Sequence, residues 1–266
     1  TMVRCIRYFS PLFFLVMGFS VQKQTRNESY NTNAPVYPGY HLVWQDEFNG
    51  TDINTKDWNY ETGGNGWGNQ ELEYYTEGNK NVYLLNGNLV IEAKKEDMGG
   101  RNYTSGRITT KGKHAFTYGR IDIRAKLPVQ TGMWPALWML GNDIGLKGWP
   151  LCGEIDIMEL IGKNPKQVVG SFHWKKDDAT EGTVNNRYSL TSGDFSDEFH
   201  LYSLIWEKDK YEILVDNKVY VKAKPSDIKA AYNPFNHPFF LIFNVAVGGD
   251  WPGSPDKSTS FPQKML

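Results

Sequence analysis

Short alternations of apolar and polar residues recur along the chain from about residue 81 onward. In the clearest of them, Arg120–Leu127, every second position is apolar, and Asp122, Arg124 and Lys126 occupy the positions between. Because successive side chains of a β-strand point to opposite faces, this pattern predicts a half-buried strand. The other runs that predict strands are Leu84–Glu92, Arg107–Lys111, Val168–Trp174, Leu201–Glu207, a hairpin Tyr211–Val221 turning at Asp216-Asn217, and Phe239–Val247.

Helical periodicity is almost absent from the sequence. Only Ser226–Ala231 predicts a single short turn, whereas Gly-rich segments separate the strand-like runs at short spacing. Many short strands without long helices favour an antiparallel sandwich. A chain of 266 residues is compatible with one large β-domain, and it contains no internal repeat. We therefore predict an all-β protein, an antiparallel β-sandwich whose single catalytic domain covers residues 39–266.

The stretch Gly153–Gly162 departs from simple alternation. As a strand it places Glu154 and Asp156 on one face, but it places Glu159 on the apolar face, where an ionised carboxylate is costly. One extra residue near Met158, a β-bulge, returns Glu159 to the acidic face. The two glutamates then lie about 13 Å apart at Cα, and side chains that lean together approach the separation of about 5–5.5 Å used by retaining glycosidases. A solvated acidic face or a cation site is the alternative that the pattern leaves open.

Together with Gly132–Leu140 upstream, this acidic strand resembles the active-site region of glycoside hydrolase family 16. The six-residue spacing with the extra Met158 is similar to the family branch that contains laminarinases (endo-1,3-β-glucanases), agarases and carrageenases. The resemblance covers most of the chain and implies a jelly roll with a concave substrate cleft. The catalytic roles that it implies are nucleophile for Glu154, support of the nucleophile for Asp156, and acid/base for Glu159.

The resemblance also implies a glycan-binding groove. The loop Gly63–Glu71 contains the W-G-N-x-E pattern of family 16 laminarinases, in which the Asn contacts sugar, and this favours a 1,3-glucan over agarose or carrageenan. Tryptophans four residues apart on a strand share one face, where their rings can stack on a pyranose. The residues implied to line the groove are Asn69, Arg107, Trp134, Trp138, His173 and Trp251. The open alternatives are a surface turn for the loop, core packing for the tryptophans and a buried structural imidazole for the histidine.

Composition narrows the classes of partner. The formal net charge is −1, the pI is about 6.5 and no basic tract is present, so nucleic-acid binding has no electrostatic support. No His or Cys cluster has zinc-ligand spacing, and no Ser/His/Asp arrangement is present in the sequence. Cys152 predicts a packed, inert thiol rather than a nucleophile. We expect a β-glucan polysaccharide or oligosaccharide as the partner, no nucleic acid, and a monomeric protein.

The N-terminal residues resemble a secretory signal. Arg4 and Arg7 form a positively charged region, Pro11–Phe19 an apolar region, and Gly18-Phe19-Ser20 a small-x-small cleavage site. An uncleaved membrane anchor is the rival interpretation. The resulting expectations are a signal peptide over residues 1–20, a flexible linker over residues 21–38, an extracellular or periplasmic location, and no membrane contact after cleavage.

The C-terminal residues depart from the family pattern. Family 16 domains usually continue from a Pro-Gln-x-Met segment into one more strand, whereas here Leu266 follows that segment directly. We therefore expect one sheet to be a strand short and the protein to be less stable than a complete relative. Many relatives also bind calcium on the convex side, and Glu47 and the Gly87 carbonyl correspond to two of its ligands. Ca²⁺ prefers about six to eight oxygen ligands, and two are too few. We therefore expect no required cofactor and no tight calcium binding.

The predicted function is that of a secreted, retaining endo-β-1,3-glucanase of the laminarinase type. One alternative is a mixed-linkage β-1,3-1,4-glucanase, although such members of the family usually lack the extra residue in the acidic strand. The other is a non-catalytic, lectin-like module that binds glucan. Such a module needs the tryptophans but not all three carboxylates, so the acidic strand favours the enzyme.

Overall fold

A computed structural model describes residues 2–8 and 35–266. These residues form mostly β-strands, with one helical turn, α1 (Ile144–Lys147), and three 3₁₀ turns at Gly78–Lys80, Pro225–Asp227 and Pro234–Asn236. The strands are β1 (Met2–Tyr8), β2 (Tyr40–Asp46), β3 (Asn59–Tyr60), β4 (Glu73–Tyr75), β5 (Val82–Leu85), β6 (Asn88–Ala93), β7 (Tyr103–Ser105), β8 (Arg107–Thr109), β9 (Gly119–Ala125), β10 (Met133–Gly141), β11 (Glu154–Glu159), β12 (Gln167–Lys175), β13 (Glu181–Ser189), β14 (His200–Trp206), β15 (Tyr211–Val215), β16 (Lys218–Ala223), β17 (Phe239–Val247) and β18 (Gln263–Met265).

Two large sheets pack face to face. One has six strands in the order β16-β15-β14-β9-β1-β2, and the other has seven in the order β13-β12-β11-β10-β17-β8-β3. Strand neighbours within both sheets are antiparallel. Alternate apolar residues of the two inner faces form one continuous buried cluster, which includes Ile121, Ile155, Leu204 and Phe243. The prediction of an all-β antiparallel sandwich is confirmed.

Most of the strand-like runs of the sequence are strands in the structure. The run Phe239–Val247 matches β17 at both ends, and the hairpin of β15 and β16 turns at Asp216-Asn217, where both residues have positive φ as a type I′ turn requires. The prediction of a single strand over Leu84–Glu92 is wrong. This run is divided by a turn at Asn86-Gly87, also with positive φ at both residues, and belongs to β5 and β6.

The bulge predicted in the acidic strand is present. Leu137 of β10 pairs with Met158 of β11, but Trp138 pairs with Asp156, so Ile157 is the extra residue. The pairing of β11 with β12 is irregular over the same interval, between Asp156 and Glu159. Both Ile157 and Met158 are fully buried in the core, and Glu159 therefore returns to the face that carries the other two acids.

The N-terminal residues form a strand inside the six-stranded sheet. Strand β1 pairs with β2 on one side and with β9 on the other, and Val3, Cys5 and Ile6 are buried. A Cβ atom on Gly119 of β9 would lie 2.3 Å from the Ile6 carbonyl oxygen, so this close approach of the two strands requires a glycine. In the described residues, β1 occupies the position between β2 and β9. The expectation that the last strand of the domain is missing stays a prediction.

The two described ends of the chain meet along β9. Leu266 exchanges two backbone hydrogen bonds with Lys126, and Met2 pairs with Arg124 on the same side of the same strand. Leu266 therefore lies two register positions before Met2, in line with β1. The preceding strand, β18, pairs with β6 in a small third sheet.

The predicted signal peptide and linker are only partly described. Met2–Tyr8 is a paired strand rather than a free leader, whereas the apolar run Pro11–Phe19 and most of the linker lie outside the described residues. Cleavage of residues 1–20 stays a prediction. In the described ranges, none of the helices has the length and apolar character needed to cross a membrane.

Candidate active site

The bulged strand β11 separates its acidic and apolar side chains onto the two faces of the seven-stranded sheet. Ile155, Ile157 and Met158 point into the core with no exposed surface. Glu154 and Glu159 are half-buried on the opposite face, and Asp156 between them is only 3 % exposed. The three carboxylates thus converge on the groove side of the sheet.

The carboxylates lie where two clefts adjoin on this face. The larger cleft, of about 400 Å³, contains four of the predicted glycan-binding residues, and the smaller one, of about 350 Å³, contains the other two. Glu154, Glu159 and Trp134 belong to both clefts. The predicted residues in the larger cleft are Asn69, Arg107, Trp134 and Trp138, and those in the smaller cleft are His173, Trp251 and again Trp134.

The tryptophans of β10 share one face, as their spacing predicted, but each is also hydrogen-bonded. The Trp134 Nε1–H donates to Oε1 of Glu159 at 3.0 Å, and the Trp138 Nε1–H donates to Oδ1 of Asn244 at 2.8 Å. Trp251 packs edge-on against Trp134, with ring centroids 5.6 Å apart. Trp134 therefore contacts the expected acid/base directly as well as lining the groove.

Arg107 is held between two aromatic rings in the larger cleft. Its guanidinium carbon lies 4.7 Å from the Trp67 ring centroid and 4.9 Å from that of Trp138. Its Nε donates to Oε2 of Glu61 at 2.5 Å. Cation–π contact and the ion pair fix the plane of the guanidinium, so Arg107 presents its remaining N–H groups to the groove in one orientation.

A chain of hydrogen bonds connects the Gly-rich loop to the floor of the cleft. Asn69 Nδ2 donates to Glu71 Oε1 at 3.1 Å, and the Tyr75 hydroxyl donates to Glu71 Oε2 at 2.9 Å. Asn244 Nδ2 then donates to the Tyr75 oxygen at 3.1 Å, and the same Asn244 accepts from Trp138. The chain fixes Asn69 and Trp138 relative to each other.

Burial sets the protonation of the glutamates. Burial first, and then the charge of Asp156, raises the pKa of Glu159 to about 8, while the hydrogen bond from Trp134 acts in the opposite direction. The pKa of Glu154 is also raised by burial and by Asp156, while the charge of His173 and a hydrogen bond from Trp149 lower it. Because like charges resist ionising together, the site retains a proton at neutral pH, which is the state a general acid needs.

His173 lies beside the acids rather than in the apolar interior. Its Nε2 is 3.2 Å from Asp156 Oδ2, and its Nδ1 is 2.6 Å from Glu181 Oε1. Burial alone would lower the pKa of His173, but the hydrogen bond and charge of Asp156, the charge of Glu154 and the hydrogen bond to Glu181 raise it to about 10. The imidazole is therefore a cation at neutral pH.

The structure offers little support for a metal at either suggested position. In the described ranges, the one group of acids, cysteines and histidines close enough to share an ion is Glu154, Asp156 and His173, within 4.8 Å. The protonated His173 has no free lone pair to donate and already supplies a positive charge. At the other position, Oε1 of Glu47 is bound by Arg4 Nε at 2.7 Å, so this carboxylate has a guanidinium as its partner. The residues present do not fit a calcium site, and the absence of tight calcium binding stays a prediction.

Both cysteines are free and buried. Burial first, and then the charges of Asp143 and Glu154, raises the pKa of Cys152 to about 12, so its thiol is not ionised at neutral pH and is a poor nucleophile. This agrees with the packed, inert thiol that the sequence predicted.

Sequence reasoning missed several residues of the groove. Trp67 and Trp149 line the larger cleft, and Trp149 contacts Glu154. Trp67 lies inside the W-G-N-x-E pattern, so this signal was available. Trp149 is followed by one proline and belongs to no periodic pattern. Glu181 was missed because β13 is mostly polar and exposed, so its sequence gives a weak strand signal.

Replacing Trp134 by phenylalanine tests its contact with Glu159. The Nε1–H favours the ionised carboxylate, so its loss raises the pKa of Glu159 further. The alkaline limb of the kcat/KM profile is then expected to move upward by roughly one pH unit, because a hydrogen bond to a charged group contributes about 1.4 kcal/mol or more. Trp251→Phe is the matched control, since Trp251 packs on Trp134 without contacting an acid in the described structure. Equal profiles for the two variants would contradict the assignment.

Comparison with known proteins places this geometry in context. The model of the glycosyl hydrolases family 16 matches residues 68–263. The chain is 40 % identical over 251 residues to a glucan endo-1,3-beta-glucosidase A1 of Niallia circulans, covering 85 % of this chain and 36 % of that protein. It is 42 % identical over 239 residues to a beta-glucanase of Rhodothermus marinus, covering 86 % and 83 %. Among solved structures, the laminarinase catalytic domain of Thermotoga maritima superposes with a TM-score of 0.78 at 47 % identity, covering 85 % of this chain and 94 % of that one.

Proposed function

Because the chain belongs to glycosyl hydrolase family 16, whose members are glycoside hydrolases, we propose that it hydrolyses β-1,3-glucan of the laminarin type as a retaining endo-glycosidase. The observation that carries the proposal is the bulged strand β11, which turns Glu154, Asp156 and Glu159 together into an aromatic-lined groove. A binding module has no use for a buried carboxylate with a raised pKa next to two others, because such a group is costly to keep in the fold.

In the first step Glu159, protonated at neutral pH, donates its proton to the leaving glycosidic oxygen. Glu154 attacks the anomeric carbon, the bond to the leaving sugar breaks, and a glycosyl ester forms on Glu154. Ionisation of Glu154 at this point is favoured by the His173 cation and the Trp149 contact. The Trp134 N–H stabilises the Glu159 carboxylate that the proton transfer leaves behind.

In the second step Glu159, now ionised, takes a proton from water. The resulting nucleophile attacks the anomeric carbon and breaks the ester, which returns Glu154 to its carboxylate form. Asp156 lies between the two glutamates on β11 and is paired with His173, so it holds the His173 cation beside Glu154. Each Glu therefore ends the cycle in the protonation state in which it began.

The substrate class rests on the groove and on the relatives. The larger cleft presents tryptophan faces, which suit a neutral glucan. The Niallia relative is named an endo-1,3-beta-glucosidase and the Thermotoga structure a laminarinase. The chain spans about a third of the Niallia protein, so any activity that depends on other parts of a longer protein is outside this proposal.

Digestion of four polysaccharides tests the substrate class. We expect laminarin and curdlan to be cut to short oligosaccharides, lichenan more slowly, and agarose not at all, as judged by product sizing. Faster cleavage of lichenan than of laminarin would indicate the mixed-linkage glucanase instead. Binding of laminarin without any product would indicate the lectin-like module.

The stereochemistry of the product tests the mechanism. Double displacement is expected to release the β-anomer first, with the α-anomer appearing only by mutarotation, as followed by proton NMR during hydrolysis. The single-displacement alternative needs a water between the two carboxyl groups and a separation of about 6.5–9.5 Å. Immediate appearance of the α-anomer would therefore contradict the assignment of Glu154 as nucleophile.

A further inference from the structure

His173 is held by carboxylates from both neighbouring strands. Its Nε2 lies 3.2 Å from Asp156 of β11, and its Nδ1 lies 2.6 Å from Glu181 of β13. The side chain of His173 is 20 % exposed and that of Glu181 is 41 % exposed, whereas the side chain of Asp156 is 4 % exposed. The solvent-facing Glu181 thus contacts one ring nitrogen of His173, and the buried Asp156 contacts the other.

The sheet register brings these three groups together. His173 pairs directly with Glu154 on β11 and with Thr183 on β13. Glu181 is two residues from Thr183 and therefore points to the same face as His173, at a diagonal position. Because β13 pairs with β12 along its whole length, its register does not depend on the contact between Glu181 and His173.

The ring is surrounded by charges of both signs. The uncharged Trp134 and Trp251 come from the other elements that line the same cleft. The charged groups on this side are Glu154, Asp156 and Glu159 of β11, Lys175 of β12, and Glu181 and Arg187 of β13. The imidazolium of His173 directly contacts Asp156, one of the three carboxylates of β11. Its position therefore determines how far its positive charge lowers the pKa of Glu154.

We propose that Glu181 is a positioning residue for the active site: it holds the His173 ring with Nε2 toward Asp156 and so keeps a positive charge beside Glu154. The proposal rests on the glycosidase function proposed above. A histidine with one ring nitrogen bound to an outer carboxylate keeps a fixed ring orientation, and without Glu181 the contact with Asp156 would have to hold the ring. Glu181 itself touches neither substrate nor a reacting atom in this arrangement.

Three variants separate position from charge. Glu181→Ala removes both the acceptor and the charge. Glu181→Gln removes the charge but keeps an amide oxygen that accepts from Nδ1–H. Asp178→Asn removes a carboxylate from the same hairpin that interacts with Thr180 rather than with His173. Melting curves are recorded for all three, because a positioning role predicts little change in Tm.

For Glu181→Ala we expect kcat on laminarin to fall roughly tenfold with KM nearly unchanged, the scale typical of losing a carboxylate that orients a histidine. The acid limb of kcat/KM is expected to move upward by roughly half a pH unit, since Glu154 ionises less readily without the nearby cation. Glu181→Gln is expected to retain most of the activity, and Asp178→Asn to behave as the wild type.

The titration of His173 is a second measurement that needs no substrate. Long-range ¹H–¹⁵N NMR of the imidazole nitrogens is expected to give a pKa near 10 in the wild type and a lower one in Glu181→Ala. If the His173 pKa in Glu181→Ala equals that of the wild type, and if Glu181→Ala has the same pH profile as Asp178→Asn, the positioning role of Glu181 is wrong. The proposed glycosidase function is unaffected by that result. A wild-type protein inactive on every β-glucan would overturn the proposed function, and this proposal with it.

Discussion

Replacing Glu154 by alanine is expected to abolish glucan hydrolysis, with kcat on laminarin lowered on the order of 10⁴-fold or more, as for loss of the covalent nucleophile in other hydrolases. The reason is that no glycosyl ester can form, while Glu159 alone only protonates the leaving oxygen. Azide is expected to restore turnover of an activated aryl β-glucoside, because the small anion fits the space left by the side chain and attacks the anomeric carbon. The product should then be the glycosyl azide of inverted configuration.

The controls distinguish this role from general damage to the groove. Asp156→Asn is expected to lower the rate less and to leave glucan affinity largely intact. Glu212→Ala removes a carboxylate from β15, on the opposite sheet, and should have no effect on kcat. If Glu154→Ala cleaves laminarin at a near-normal rate, or if azide does not restore turnover of the aryl glucoside by this variant, the assignment of the nucleophile is wrong.

Removing residues 1–8 is expected to lower Tm by more than about 10 °C, or to prevent folding. Strand β1 buries Val3, Cys5 and Ile6, each contributing about 1.5–3 kcal/mol, which together is comparable with a net stability of about 5–15 kcal/mol. Its loss also leaves the backbone groups of β2 and β9 without partners on facing edges. For a chain of this size about 1 kcal/mol changes Tm by about 2–4 °C.

A matched pair of point variants on β1 tests the same account without deleting the strand. Arg4→Ala leaves the Glu47 carboxylate without its partner, and breaking such a largely buried ion pair costs about 3 kcal/mol. Arg7→Ala changes the same residue type on the same strand, but at an exposed position, and should leave Tm nearly unchanged. Equal melting temperatures for the two variants would contradict the role of β1.

This prediction also bears on the predicted signal peptide. Cleavage after Ser20 would remove β1 from the mature protein, so a chain beginning at Val21 is expected to melt well below the full chain. Intact mass of the exported protein and thermal melts of the two chains measure both points. If the chain from Val21 is as stable as the full chain, β1 is dispensable, and the leader interpretation of residues 1–20 is compatible with the fold.

The sequence pattern was sufficient to predict features in which the burial of a side chain depends only on its position within its own strand. Alternation predicted β9, and an apolar run predicted β17. The misfit of Glu159 predicted the bulge, because an acid on the core face would carry a cost that one extra residue removes. The six residues that the resemblance implied to bind glycan all line the two clefts. The turn at Asn86-Gly87 was also readable, since this dipeptide is a strong hairpin signal.

The order of strands across the sheets was decided only by tertiary structure. The sequence by itself determined that this chain is a β-sandwich with a bulged acidic strand, because these follow from side-chain period and residue chemistry. The aromatic groove was implied by the resemblance to the family. Three features join residues from different segments of the chain: the position of β1 between β2 and β9, the ion pair of Arg4 with Glu47, and the contact of Glu181 with His173. Such contacts depend on which strands become neighbours in the packed sheets, and the periodicity within a single strand does not predict its neighbours.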